Sequence, residues 1–410
     1  MKIIRLISRI IAGPVFIFSG FVKAIDPLGS AYKFHDYFQA FHIDFLRVFS
    51  LPLAILMCTA EFIAGFSVLT GLRQKTGIWV IFLLILFFTP LTLVLAITNP
   101  VSDCGCFGDA IHLTNWQTFG KNIILLALIL LLFTGRKKAA LIFKPVTEWS
   151  ITGIVALLFI LFSLFNLRYL PILDFLPYSI GTNIASKMEI PEGSPTDQYC
   201  ITFMYEKNSK RKEFTINDYP ANDTSWKFIG QKSVLIKKGF EPPIHDFSVT
   251  NLYNENITGQ ILNDKGYTLL MISNKLAQAD QEKLGKGFDL GACCISNGIS
   301  FNILTASGTN EVKSYENGLP FCVTDETVLK TMIRSNPGYI LLRNGTIIGK
   351  WSWANVPMKE WFSNDITGKQ LELLSKHNGI FIVIISFISL CVFLLILCIL
   401  FRKNDSTNIN

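Results

Sequence analysis

Apolar runs of membrane-crossing length constrain this chain more than any other feature, because a spanning helix needs roughly 20 consecutive, mostly apolar residues. Six runs reach or approach that length: Ile10 to Val22, Leu51 to Leu72, Ile78 to Thr98, Trp116 to Thr134, Thr147 to Leu167 and Ile380 to Phe401. The last carries no charge and is followed by Arg402 and Lys403. Half of the 410 residues are apolar and 16% are charged, which excludes a purely soluble chain. The net charge of +7 does not point to nucleic acid, because Lys and Arg cluster beside the apolar runs instead of interleaving with aromatic residues.

The first run follows Lys2 and Arg5, as in a signal peptide. No small-x-small cleavage site follows it, so it is read as a retained helix. The basic clusters are Lys2, Arg5 and Arg9; Arg73 and Lys75; Arg136, Lys137, Lys138 and Lys144; and Arg402 and Lys403. With six spans all of these fall on one side. The expectation is a multi-pass α-helical protein of the inner membrane with both termini cytoplasmic. Residues 99–115, which lack Lys and Arg, and residues 169–376 then face the periplasm. The predicted organisation is a four-helix membrane domain at 1–135, a cytoplasmic loop and fifth helix at 136–168, an outer β-rich segment at 169–239, an outer α/β domain at 240–376, and a sixth helix with a tail at 377–410.

Within the outer part, Tyr199 to Tyr205 and Lys212 to Ile216 alternate around a polar turn, a hairpin pattern. Beyond Phe240 the order is strand (Tyr267 to Ile272), helix (Ala277 to Gly291), strand (Ser300 to Thr305), helix (Thr324 to Arg334), then a hairpin around Asn344-Gly345. This order, the opening stretch Glu241 to Val249 and the proline just ahead of the hairpin resemble the thioredoxin-like fold. The resemblance covers about residues 240–361 and makes Pro337 the candidate cis-proline. It departs at the residues that matter most, because Ser273-Asn274-Lys275-Leu276-Ala277-Gln278 holds no cysteine where thioredoxins carry Cys-x-x-Cys. Without a thiolate there, the domain reads as a binding or docking module and not as a thioredoxin-type catalyst.

Of nine cysteines, Cys58, Cys391 and Cys398 lie inside predicted spans and read as packing residues. Cys104, Cys106, Cys200, Cys293, Cys294 and Cys322 would face an oxidising compartment. Cys293, Cys294 and Cys322 are candidate structural disulfide partners: two separate longer-range bridges, or one bridge from either Cys293 or Cys294 to Cys322, are favoured over a vicinal one, and the thioredoxin-like resemblance makes the bridge to Cys322 reasonable. The most specific constellation is Asp103-Cys104-Gly105-Cys106-Phe107-Gly108-Asp109. A disulfide across one residue closes a tight ring that should exchange readily. A static staple and a partial metal site remain alternatives, although two thiolates leave a tetrahedral zinc site incomplete and the nearest histidine is His112. Glu61 falls inside the second span, where a bare carboxylate is costly. It is read either as a proton acceptor or quinone contact near the thiols, or as a helix-packing hydrogen bond. Lys23 reads as a snorkelling anchor, and His35 and His42 as surface packing.

Ser19-Gly20-Phe21-Val22-Lys23-Ala24 with Asp26-Pro27, Ala60-Glu61-Phe62-Ile63-Ala64-Gly65 through Thr70-Gly71, and the Asp103 to Asp109 loop together resemble the DoxX-like membrane proteins, and more closely their MauE branch of methylamine-utilisation or redox-associated proteins. The resemblance spans Arg5 to about Phe133 and implies a four-helix unit that forms or transfers disulfides for exported proteins. Taken with the residues themselves, it makes Cys104, Cys106 and Glu61 the candidate catalytic residues of a thiol-disulfide oxidoreductase, with no metal and with exported thiol proteins or a redox partner as clients beside the lipid bilayer; the nearness of the thiols to the membrane surface, and not the resemblance, leaves a quinone open as cofactor. The competing reading is a non-enzymatic membrane scaffold whose outer domain binds envelope proteins. A transporter ranks below both, since no pair of broken helices is evident.

Overall fold

A computed structural model describes residues 2–101, 103–136, 141–207, 210–220, 223–315, 318–357 and 359–362. The predicted sixth span, 380–401, lies outside the described residues. Two compact units are present, one running to Thr182 and resuming at Ser248, the other Asn183–Phe247.

The first unit opens with six helices: α1 (Lys2–Ile25), α2 (Pro27–Ala40), α3 (Ser50–Thr70), α4 (Gln74–Thr98), α5 (Asn115–Gly135) and α6 (Pro145–Tyr169). Among the described residues, five helical segments are long and apolar enough to cross a membrane: Ile3–Ile25, Asp44–Thr70, Gln74–Thr98, Asn115–Gly135 and Pro145–Tyr169. The chain is a multi-pass membrane protein. Helix α1 starts well before the apolar run that signals it, so the short run is the middle of a full-length span. Apolar side chains gain little by leaving lipid for each other, so close helix contact relies on small residues. A Cβ on Gly20 of α1 would come within 2.6 Å of the Cys58 carbonyl on α3, so only glycine allows that approach.

The same unit continues as an α/β domain. Its strands are β4 (Thr250–Asn251), β5 (Tyr267–Ser273), β6 (Ser300–Thr305), β7 (Phe321–Val323), β8 (Gly338–Arg343) and β9 (Thr346–Ser352), and they form one sheet in the order β4-β7-β6-β5-β8-β9. Strands β5, β6 and β7 are parallel, and β8 and β9 form an antiparallel hairpin beside β5. The hairpin turns at Asn344 (φ 48°) and Gly345 (φ 69°), the left-handed geometry that an Asn-Gly pair favours. Helices α8 (Thr258–Leu262), α9 (Gln281–Ser296), α10 (Thr309–Lys313), α11 (Glu326–Met332) and α12 (Lys359–Phe362) complete the domain. Leu284, Leu290 and Cys294 of α9 bury against Leu269, Met271, Phe301, Ile303, Phe321 and Tyr339 of the sheet. Asp325 caps α11 by accepting from the Thr327 and Val328 N–H groups.

The bridge expected from the Cys293-Cys294 pair to Cys322 is not formed at Cys294 or Cys322, both of which are buried thiols. Alternation along the strand explains this. Phe321 faces the core that holds Cys294, so its neighbour Cys322 faces the other way, 3.7 Å from the Asn302 side chain.

The second unit holds α7 (Ile184–Met188) and a three-stranded antiparallel sheet, β2 (Lys210–Thr215), β1 (Gln198–Lys207) and β3 (Lys227–Lys237), in the order β2-β1-β3. It begins at Asn183, later than the 169 read from composition. The reason is that residues 170–182 are tied to the larger unit: the Gly181 N–H donates to the Ile347 carbonyl, the Ile347 N–H donates to the Thr182 carbonyl, and Lys350 pairs with Asp174 at 2.5 Å.

Candidate functional site

Cys104 and Cys106 sit on the connection between α4 and α5. Asn99 ends α4 in a left-handed conformation, and the Asn115 amide reaches across to Asn99 Oδ1 (2.8 Å) and the Val101 carbonyl (2.9 Å), which ties the loop at both ends. Thr114 and Gln117 form a capping box that starts α5 immediately afterwards. Gly105 turns the loop at φ 63°, where a side chain would be strained. The two sulfurs come to 2.8 Å from each other as free thiols.

Each group around this pair has a definable effect. Asp103 accepts from the Gly105 N–H and from Lys33 Nζ (3.0 Å). Burial opposes ionisation of Asp103, but Lys33 and these hydrogen bonds overcome it and hold the carboxyl below its ordinary value. Tyr37 donates to the Cys104 carbonyl at 2.6 Å, and burial with the neighbouring thiols raises its own pKa, so it remains a donor at neutral pH. The hydrogen bond shared with Cys106 pulls the Cys104 thiol down to about 6 against burial, and the Thr118 hydroxyl 3.5 Å away, the Cys106 N–H and the Lys121 charge add to this. The same shared proton, burial and the Cys104 charge push Cys106 up. At pH 7 the pair therefore holds a thiolate on Cys104 and a proton on Cys106. This is the division of labour that an attacking and a resolving thiol require.

Glu61 is neither bare nor in direct contact with a sulfur. Its carboxylate is 4% exposed and pairs with Lys23 Nζ at 2.8 and 2.9 Å. Lys23, only 8% exposed, turns into the bundle toward this carboxylate and does not snorkel as the sequence suggested. Ser19 Oγ lies 2.9 Å from Glu61 Oε2 and 2.8 Å from the Cys106 carbonyl, so one hydroxyl links the buried ion pair to the thiol loop. His112 approaches Asp103 at 3.5 Å, and among the described residues no group of three metal-ligating side chains gathers. Below the sulfurs lies a cavity of about 190 Å³ that includes Ser19, Lys23, Glu61, Lys121 and Asn122 in its walls.

Residues 1–135 match the model of the family described as methylamine utilisation protein MauE. The membrane part is MauE-like. In this MauE-like part, the three stretches that carry the sequence resemblance meet at one place: Ser19 and Lys23 from α1, Glu61 from α3 and Cys106 from the loop. Residues 199–238 match a domain of unknown function, DUF8463. No curated protein and no solved structure matches the chain.

The loop is also anchored to the α/β domain. Arg334, 7% exposed, bonds Asp26 at 2.7 Å through Nε and Asp109 at 2.8 Å through a terminal nitrogen, and its guanidinium stands 5.3 Å from the Tyr32 ring. Burial is the largest influence on Asp26 and raises its pKa despite Arg334. Two residues on, the Asn336–Pro337 bond is cis, and the Asn336 side chain accepts from Ser273 Oγ (2.7 Å) and donates to the Lys275 carbonyl (3.2 Å). The end of β5 and Pro337 are thus adjacent, with no thiol between them. Cys293, Cys294 and Cys322 lie elsewhere in this domain and play no part in the site. Ser19, Lys23, Lys33, Tyr37, Thr118 and Lys121 were not recognised as site residues from sequence. The available signal was Lys23, a second ionisable side chain within a membrane span alongside Glu61.

Proposed function

We propose that this protein exchanges disulfides at the periplasmic face of the inner membrane, with Cys104 as attacking thiolate and Cys106 as resolving thiol. The observation that carries the reading is the pair itself: two sulfurs 2.8 Å apart, of which one is held down to about 6. Attack by Cys104 on a client disulfide would form a mixed disulfide and release one client thiolate. Attack by Cys106 on Cys104 would then release the second and leave Cys104–Cys106 oxidised, and the reverse sequence would oxidise a dithiol client. Lys23, Glu61 and Ser19 support the loop from below, through the bond from the Ser19 hydroxyl to the Cys106 carbonyl.

The α/β domain fits the thioredoxin-like reading in its three parallel strands, its antiparallel hairpin and its proline before β8, and serves as a docking module. The family likeness supports a redox-associated role in methylamine utilisation, through maturation of an exported client and not through amine chemistry. Replacing Cys104 and Cys106 together by Ser tests the proposal in cells: client disulfides are lost while the protein's own abundance is kept. Falling abundance with client disulfides intact would instead assign the loop a stapling role in a scaffold.

A further inference from the structure

The cavity beneath the thiols has two unlike ends. Around the sulfurs stand Lys33, Tyr37 and Lys121, while toward the bilayer interior α4 supplies Leu95, Leu91, Phe88, Phe87 and Leu84, with the Asn122 amide bonded to Thr92 among them. At 1.5 Å per residue, Leu95 to Leu84 extends about 16 Å along the helix, well into the apolar span. Phe41 and Phe87, 40% and 63% exposed, line the same cavity, so it reaches the flank of the bundle between the end of α2 and α4. A cavity of about 150 Å³ already admits benzene. The 190 Å³ here admits a substituted ring. Lys121 Nζ lies 4.5 Å from the centre of the Phe107 ring, and no carboxylate pairs with it among the described residues.

We infer that this cavity takes the ring and first tail segment of a membrane quinone, which accepts the two electrons released when Cys104 and Cys106 join. The inference rests on the thiol-exchange reading and names its electron acceptor. A soluble disulfide needs no opening toward lipid, and an acyl chain alone leaves the polar end unmatched, whereas a quinone fills both ends. In the step, the Cys104 thiolate and Cys106 thiol form one S–S bond and give up two electrons and one proton. The quinone takes those electrons, that proton and a second proton from the bulk, and becomes quinol. Lys121 stands where charge develops on the ring oxygen, a placement that stabilises it.

The test uses the full chain, pre-reduced in lipid nanodiscs and mixed with a short-tailed benzoquinone or naphthoquinone. Quinone absorbance and the alkylation state of the Cys104 peptide are followed together. The expected result is one quinol per protein as the pair oxidises, with Leu91→Trp slowing this by about tenfold through overfilling the apolar end. Oxidation of that variant by oxidised glutathione should be unchanged. If quinone leaves the pair reduced, or oxidises Leu91→Trp as fast as wild type, while glutathione still oxidises it, the quinone site is overturned and thiol exchange stands. If neither oxidant acts, both fall. In wild type, a non-reducible ring analogue should slow alkylation of Cys104, and an equal effect from a plain acyl lipid would overturn the quinone in favour of a lipid.

Discussion

Two sets of thiols in one chain show how differently a fold can treat the same side chain. Cys104 sits in a loop where hydrogen bonds at its sulfur, with the Lys121 charge nearby, hold it down to about 6. Cys294 sits in the α9–sheet core and Cys322 on the opposite sheet face; burial pushes them up to about 12 and about 11. Burial alone disfavours the charged form in all three, so the difference comes from the partners that surround Cys104. The thiol that is held down belongs to the membrane part, whereas burial pushes up Cys294 and Cys322 of the α/β domain.

The sharpest way to break this comparison is Cys104→Ser. Cys104 keeps its thiolate as pH falls until about 6, while Cys294 and Cys322 stay protonated up to pH 11 or beyond. Alkylation between pH 6 and 9, followed peptide by peptide by mass spectrometry, should mark Cys104 in wild type and leave Cys294 and Cys322 unmarked. In Cys104→Ser the rapidly alkylated site should disappear from the loop, and reaction of Cys294 at pH 8 in folded protein would contradict the account.

Next in size is Lys23→Met. Removing one partner of a buried ion pair typically costs about 3–5 kcal/mol because the other charge is stranded. The loss should appear as a lower unfolding temperature, and Lys23→Met combined with Glu61→Gln should recover much of it. Cys106→Ala should raise the alkylation midpoint of Cys104 by about one unit, since it removes the largest influence lowering it. Thr118→Val, which deletes one weaker partner at 3.5 Å, should raise it by about 0.4 unit, in keeping with the low end, about 0.5 kcal/mol, for a hydrogen bond.

The parts of the molecule legible in sequence are those written in local pattern. Five spans show as apolar length, β6 as a β-rich run between polar residues, and the β8–β9 turn as Asn344-Gly345. The thiol pair was legible because two cysteines one residue apart leave few readings, and Glu61 because a carboxylate is out of place in an apolar run. What stayed hidden depends on distance along the chain. Lys23 meets Glu61 across 38 positions, and Arg334 meets Asp26 across 308, so neither contact leaves a periodic trace. Strand β7 is three residues long and too short to alternate visibly, which is why the side on which Cys322 lies, and hence the absence of its expected bridge, could not be read.

The central claim is that Cys104 and Cys106 are a working redox pair, and a redox titration of native membranes tests it most directly. Samples poised over a series of reduced-to-oxidised glutathione ratios would be alkylated and the Cys104–Cys106 peptide quantified in each state, in wild type and in the Cys104→Ser, Cys106→Ser double variant. The account predicts a reversible two-electron transition at this pair while Cys294 and Cys322 keep one state throughout. A pair that stays fully reduced or fully oxidised across the whole series would contradict it.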